Sequence, residues 1–425
     1  MKHFNIGRIA IPLTIVLIIC IVAALGGWYL YLGQKRTDIA TVSEGRGLGE
    51  TLNSSFPIGS AYQNVVGTIG QLFGQAGIAT NAGEAQQVPQ LWRVASARAA
   101  GIGFVYGTSS VSVRFIDRAS GNVFDANLSS GVVERRSNTL LPKIVEAHLV
   151  GSNIITRSSG TAGIDTFFGN LKAGTSSKET GVESAPGEVV NTALPRGLLG
   201  ITPSPRVGES RVFYLAPYEG GVAGVIAEAN GSKPQRIWTF PITEWTPTWV
   251  NDHIILVQKA SGGTPGSAYQ LSLTGTLTPL IGSIPGLSLK EHPRNRGILY
   301  SSVPRDGSPA LFAQLGSGNL AVPLPFSTFA DKCTWDPSKD SLIYCAVPRI
   351  IPANTILPDA WYRGELHFSD AIWKIDVVSG SISMVYDPER NNTALDILDP
   401  VISADGMYMT FIDSTTETGW ILRLQ

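Results

Sequence analysis

The sequence predicts an all-β fold made from one hairpin repeated along the chain, and three observations carry that prediction. The first is residues 332–347, KCTWDPSKDSLIYCAV, where two short arms rich in aromatic and aliphatic residues flank a polar turn from Asp336 to Asp340. The second is recurrence. The same apolar-turn-apolar unit stands at residues 201–216, 244–257, 289–302 and 400–412, with looser copies around Gly107 and Gly151. Turn midpoints follow one another at roughly 43, 57, 44, 43, 43 and 67 residues. The third is the chain end: the last hairpin is followed by one more strand only, residues 419–425, which leaves the final sheet one strand short. A period near 43 residues is that of one four-stranded blade of a β-propeller. Residues 91–96, LWRVAS, alternate apolar and polar without a hairpin partner of their own. As the outer strand of the last blade they would close the ring and leave no exposed sheet edge. The expectation is a seven-bladed β-propeller completed by an N-terminal strand, with six and eight blades as the neighbouring counts.

The rest of the chain fits around that ring. Of 425 residues 43% are hydrophobic and 15% charged, with 46 Gly and 26 Pro, which suits one large β domain with appendages rather than a disordered or helical chain. A formal net charge of -1 supplies no field for nucleic acid, so none is expected as a partner. Residues 1–8 read as a cytoplasmic tip. Residues 9–32 carry no charge and, at ~1.5 Å per residue in a helix, are long enough to cross a hydrocarbon core of roughly 30 Å. They read as a single-pass anchor with the large β domain extracytoplasmic. Cleavage as a signal peptide after Ala24 is the alternative, although apolar residues continue through Trp28 and Tyr31. Residues 33–90, rich in Gly, Ser, Thr, Gln and Asn, read as a flexible linker. Within it Val65, Val66, Ile69, Leu72 and Phe73 fall near helical spacing, as a short amphipathic helix would require.

The propeller is expected over residues 91–425. Its two long intervals each contain an insertion: residues 174–187, rich in Ser, Thr, Gly and Glu, and residues 348–371, between the second and third strands of the sixth blade. Second-to-third connections emerge on the face that also carries the links between blades, so the second insertion should overlie one mouth of the channel. It holds Trp361 and Tyr362 beside Asp359, Arg363, Glu365, His367 and Asp370. Aromatics with a planar cation make binding hot spots, so these seven residues are the candidate ligand or partner site. The alternative is that Trp361 and Tyr362 only pin a long loop to its blade.

Cys333 and Cys345 flank their turn symmetrically, which would set them opposite each other on paired strands, at a Cα separation a disulfide tolerates. A bridge is expected if the domain is extracytoplasmic, and two reduced core thiols otherwise. Without nearby His or further Cys the pair makes no metal site, and neither a metal nor another cofactor is expected. None of the five His stands in a metal-ligand spacing or near a nucleophile motif, so no catalytic residue is assigned. His253 and His292 fall at hairpin turns or strand ends and are expected as surface or capping residues. In residues 117–121 and 376–380 an Asp leads a D-x-x-S-G turn, where its carboxylate accepts backbone N–H bonds.

Residues 403–411, SADGMYMTF, and 335–344, WDPSKDSLIY, resemble the W-S-P-D-G hairpin of WD40-like repeats in TolB-type propellers. The resemblance runs from Leu91 to the C-terminus, with Trp in only some copies and Asp-Gly in one. The whole is similar to bacterial envelope proteins with one N-terminal anchor and such a propeller. The resemblance implies a propeller fold and protein binding, and transfers no catalytic residue. Two functions follow as expectations. One is a membrane-tethered, non-catalytic scaffold for an envelope protein or surface polymer. The other is a carbohydrate-active or sugar-binding propeller, in which Asp359, Glu365 and Asp370 would have to converge near Trp361.

Overall fold

The structure, a computed structural model, describes residues 88–424 apart from 108–109, 151–152, 162, 175–185, 207, 305–306 and 317–318. The expected tip, membrane span and amphipathic helix, almost all of the linker and most of the first insertion lie outside the described residues. Among the described residues no helix is long and apolar enough to cross a membrane.

Among the described residues twenty-seven strands, β1 (Leu91–Tyr106) to β27 (Thr418–Arg423), form antiparallel sheets that follow one another along the chain. Five sheets have four strands each, and the sixth has seven, in the order β25 (Ile397–Ile402), β26 (Tyr408–Asp413), β27, β1, β2 (Val111–Asp117), β3 (Val123–Asn127) and β4 (Val133–Arg135). The hairpins read from the sequence are the first two strands of their sheets: β9 (Gly200–Pro203) with β10 (Arg211–Tyr218), and β21 (Cys333–Trp335) with β22 (Leu342–Pro348). Apolar residues fill the space between successive sheets. Ile116, Val123, Ile144 and Ile154 join β1–β4 to the next sheet, and Leu342, Ile372, Ile397 and Phe411 join the penultimate sheet to the last. Val94, Val113, Phe115 and Ile421 then join the two ends of the described chain. With core on both faces, every sheet is held by its neighbours at roughly 25 cal/mol per Å² of apolar surface removed from water. This is the architecture of a β-propeller.

The closing strand pairs as its sequence predicts: Leu91 faces Leu422, Trp92 faces Ile421 and Arg93 faces Trp420. The sequence reading takes residues 91–96 as a strand of their own, whereas the structure continues that strand into residues 101–106. β1 runs unbroken through both, pairing with β27 in its first half and with β2 (Val111–Asp117) in its second. Register shifts between Arg93 and Arg98 and between Ala99 and Gly101 re-aim it from one sheet to the next, as bulges do. Gly101 is required there, since a Cβ would sit 2.1 Å from the Ala147 carbonyl oxygen of the neighbouring sheet.

The turns obey their chemistry. Asp117 accepts from the N–H groups of Ala119 and Ser120, Asp376 from those of Val378 and Ser379, and Gly121 and Gly380 take φ of +74° and +69°. Cys333 faces Cys345 in the β21–β22 register, both are fully buried, and their sulfurs are bonded across a separation of 12 residues. A loop of that size restricts the unfolded chain by about 3 kcal/mol. Reduction, or Cys345→Ala, is therefore expected to lower unfolding free energy by about that amount, read as a denaturant midpoint with and without reductant.

Candidate functional site

The insertion between β22 and β23 (Asp370–Asp376) begins with Arg349 and carries one helical turn, α1 (Asp359–Tyr362). Apolar residues hold it down. Trp361 is 5% exposed and stacks on Phe329 with ring centroids 5.1 Å apart and planes 6° apart, and Val303, Leu357 and Phe368 complete that cluster. Asp359 Oδ2 accepts from the Gly262 N–H at 2.7 Å, a bond that reaches the connection between β14 (His253–Gln258) and β15 (Pro265–Ser272), two sheets away. The loop is thus fastened to residues of several successive sheets, on the face that carries second-to-third connections.

Beneath Trp361 lies a buried charge cluster. Lys332, just before β21, Asp370, at the start of β23, and Asp396, just before β25 (Ile397–Ile402), have side chains with no exposure. Lys332 Nζ lies 2.6 Å from Asp370 Oδ2, 2.5 Å from Asp396 Oδ1 and 3.2 Å from the Ile397 carbonyl oxygen. It also sits 4.8 Å from the centroid of the Trp361 ring and 5.1 Å from that of Phe368. Asp396 accepts from Trp361 Nε1 at 3.0 Å and from Ser414 Oγ at 2.5 Å, with His367 Nδ1 3.4 Å away. Asp370 Oδ2 accepts from the Ile397 N–H at 2.7 Å, while its Oδ1 is buried without a hydrogen-bond partner. Burial pushes the Asp370 carboxyl up to about 6, against the pull of Lys332.

The seven residues singled out in the sequence therefore separate. Trp361 and Asp370 are buried inside the cap, and Asp359 is spent on Gly262. Arg363 and Glu365 pair with each other at 2.7 and 2.9 Å on the exposed side. Tyr362, 51% exposed, points its hydroxyl at Asp331, and His367 is exposed at the rim of the cluster. Ile350 and Ile356 add exposed apolar surface to the same loop. Asp359, Glu365 and Asp370 do not converge on one cleft. Sequence reasoning missed Lys332 and Asp396, although an ionic residue within an apolar run, as in Phe329-Ala-Asp-Lys-Cys333 and Leu395-Asp-Ile397, is a usable signal of a buried pair.

The two turn histidines correct the expectation of surface residues. His292 is fully buried and does cap its turn, its Nδ1 accepting from the N–H groups of Arg294 and Asn295 at 3.0 and 3.2 Å, with the ring against Trp335. His253, 2% exposed, lies between two carboxylates, with Nε2 2.7 Å from Glu291 and Nδ1 3.0 Å from Asp252. Each is buried because the adjoining sheet closes over the turn, a contact the local sequence does not disclose. A cleft of about 340 Å³ beside this pair is lined by Gln270, Thr278, Glu291, Arg296 and Gln314.

Burial works against the charged form of His253, but the bonds to Glu291 and Asp252 outweigh it and raise its pKa above the ordinary 6.5. A raised folded pKa means that the folded state holds a proton the unfolded state has lost. This stabilisation is complete below pH ~6.5 and disappears as pH rises through the folded value. Unfolding midpoints are expected to fall over that window in the wild type, and His253→Gln is expected to flatten that part of the profile. An equal fall in both proteins would show that His253 is not responsible.

Among the described residues no group of three or more His, Cys, Asp or Glu is arranged to hold a metal ion. No family model matches the chain, and no curated protein matches it. Solved structures similar to it include YCF48 from Cyanidioschyzon merolae, at 10% identity and a TM-score of 0.48 over 79% of this chain and 98% of that one. The Pan2 WD40 domain of Neurospora crassa is similar at 11% and 0.45 over 77% and 90%, and TolB from Acinetobacter baumannii at 11% and 0.39 over 76% and 78%.

Proposed function

We propose that the protein is a membrane-tethered, non-catalytic interaction scaffold of the cell envelope. Its seven-bladed propeller is held outside the membrane and presents the insertion of the sixth blade to an envelope protein or surface polymer. The count of seven divides the seven-stranded sheet within β1, so that β1 serves as outer strand to one blade and inner strand to the next. The uncharged run of residues 9–32 supports the tether. One observation carries the reading of the insertion: a loop anchored by Trp361, Asp359 and the Lys332 cluster turns Ile350, Ile356, Tyr362 and Arg363 outward. Ordered apolar and aromatic surface beside a planar cation binds without a large entropic cost. The carbohydrate reading needs carboxylates that meet, and Asp359, Glu365 and Asp370 are each engaged elsewhere.

The test is a photoreactive residue at position 362 in the full chain in native membranes, with position 378 as control. Val378 is 74% exposed in the turn after β23, at the far end of that strand. Capture of one protein or polymer from 362 alone, displaced by excess wild-type protein, is the expected result. Identical background from both positions would remove the insertion as the contact surface.

A further inference from the structure

The Lys332 cluster has more than an ion pair requires. We propose that Lys332 and Asp370 become covalently joined by an amide between Nζ and Cγ, an internal isopeptide crosslink formed by the folded chain itself, with Asp396 carrying the protons. The geometry supplies each part of that reaction. The nucleophile, Lys332 Nζ, is 2.6 Å from one carboxyl oxygen of Asp370, and neither side chain has any exposure. Held contact of this kind replaces a bimolecular condensation with an intramolecular one, for which effective molarities are very high. The proton acceptor, Asp396 Oδ1, is 2.5 Å from Nζ on its other side. Asp396 does not depend on Lys332 to remain satisfied, because Trp361 Nε1 and Ser414 Oγ both donate to it. The Ile397 N–H, 2.7 Å from Asp370 Oδ2, is placed to stabilise negative charge that develops there. The leaving oxygen is Asp370 Oδ1, the buried atom that has no partner.

The balance is a condensation and needs no oxidant or other reactant. The Lys332 ammonium gives a proton to Asp396, which passes it to the Asp370 carboxylate. The free amine lone pair attacks Cγ, and the Nζ–Cγ bond forms while Oδ2 takes the charge against Ile397 N–H. A second proton leaves Nζ through Asp396 to Oδ1, the Cγ–Oδ1 bond breaks, and one water departs. Asp396 ends as the carboxylate it began as. Burial already favours the uncharged form of the Asp370 carboxyl, the electrophile of the reaction. Two buried ions, each costing several kcal/mol to desolvate, become one neutral amide. The bond would tie the helical turn Ala330–Lys332, which leads into β21, to the end of the insertion at β23, locking the cap to its own blade.

Peptide mapping of the purified full chain after reduction and alkylation decides the matter without a variant. The expected product is a branched peptide joining Lys332 to Asp370, one water lighter than its two linear parts, with no tryptic cleavage after Lys332. Asp370→Ala is expected to give linear peptides only. Asp396→Asn, examined in its folded fraction, is expected to convert at least tenfold more slowly than wild type. Linear peptides and cleavage after Lys332 in folded wild-type protein would overturn the proposal. A branch to Asp396 in place of Asp370 would overturn the assignment of roles, and an unchanged rate in Asp396→Asn would remove Asp396 as proton carrier.

Discussion

Relative to wild-type chain in which Lys332 and Asp370 are not yet joined, replacing Lys332 with Met is expected to destabilise the protein by about 3–5 kcal/mol, as removing one partner from a buried ionic group does. The loss is not that of a favourable contact. It arises because Asp370 and Asp396, both fully buried, are left as like charges with no cation between them. The second variant tests the cause. Adding Asp370→Asn to Lys332→Met removes one carboxylate charge and keeps an acceptor for the Ile397 N–H, so it is expected to recover a substantial part of the loss. Asp396 stays charged in that double variant but keeps the Trp361 and Ser414 donors. Chemical denaturation of the four proteins of this cycle measures the coupling directly. A double variant no more stable than Lys332→Met alone would mean that lost packing, not uncompensated charge, sets the cost.

Deleting residues 88–98 is expected to have the largest effect of all: loss of the cooperative unfolding transition. Without them β27 becomes an edge, its unpaired N–H and C=O groups face solvent, and Ile421 and Leu422, now fully buried, lose their cover. The deletion removes Val94, itself 4% exposed, from the core that joins the two chain ends. Such a ring is expected to aggregate, and a synthetic peptide of residues 88–98 supplied during refolding is expected to restore a compact monomer in size-exclusion chromatography. A deletion variant that melts as the wild type does would show that the closing strand carries no stability.

The fold was legible in the sequence because its signals are local. The apolar-turn-apolar units, the Asp and Gly of the D-x-x-S-G turns and the partnerless alternation of residues 91–96 each lie within a short window, where period and turn chemistry operate. The Cys333 and Cys345 register was legible for the same reason, since one turn relates the two strands. The candidate site was not. Lys332 meets Asp370 and Asp396 across 38 and 64 residues, and His253 meets Glu291 across 38, so both clusters depend on how separate sheets pack. At Trp361 the pinning alternative holds, and Asp370, offered with it as a contact residue, folds inward as well. An insertion must be fixed before it can present a surface, and the largest aromatic and one carboxylate serve that purpose.

The central claim is that the two ends of the described chain are hydrogen-bonded into one closed ring, on which the insertion is mounted. Amide hydrogen exchange resolved over residues 91–93 and 420–422 tests this most directly. Protection of both segments close to that of β26 (Tyr408–Asp413), the interior neighbour of β27, is the expected result. Exchange of both segments as fast as the exposed turn at residues 377–380 would contradict it, and the scaffold reading would lose its rigid base.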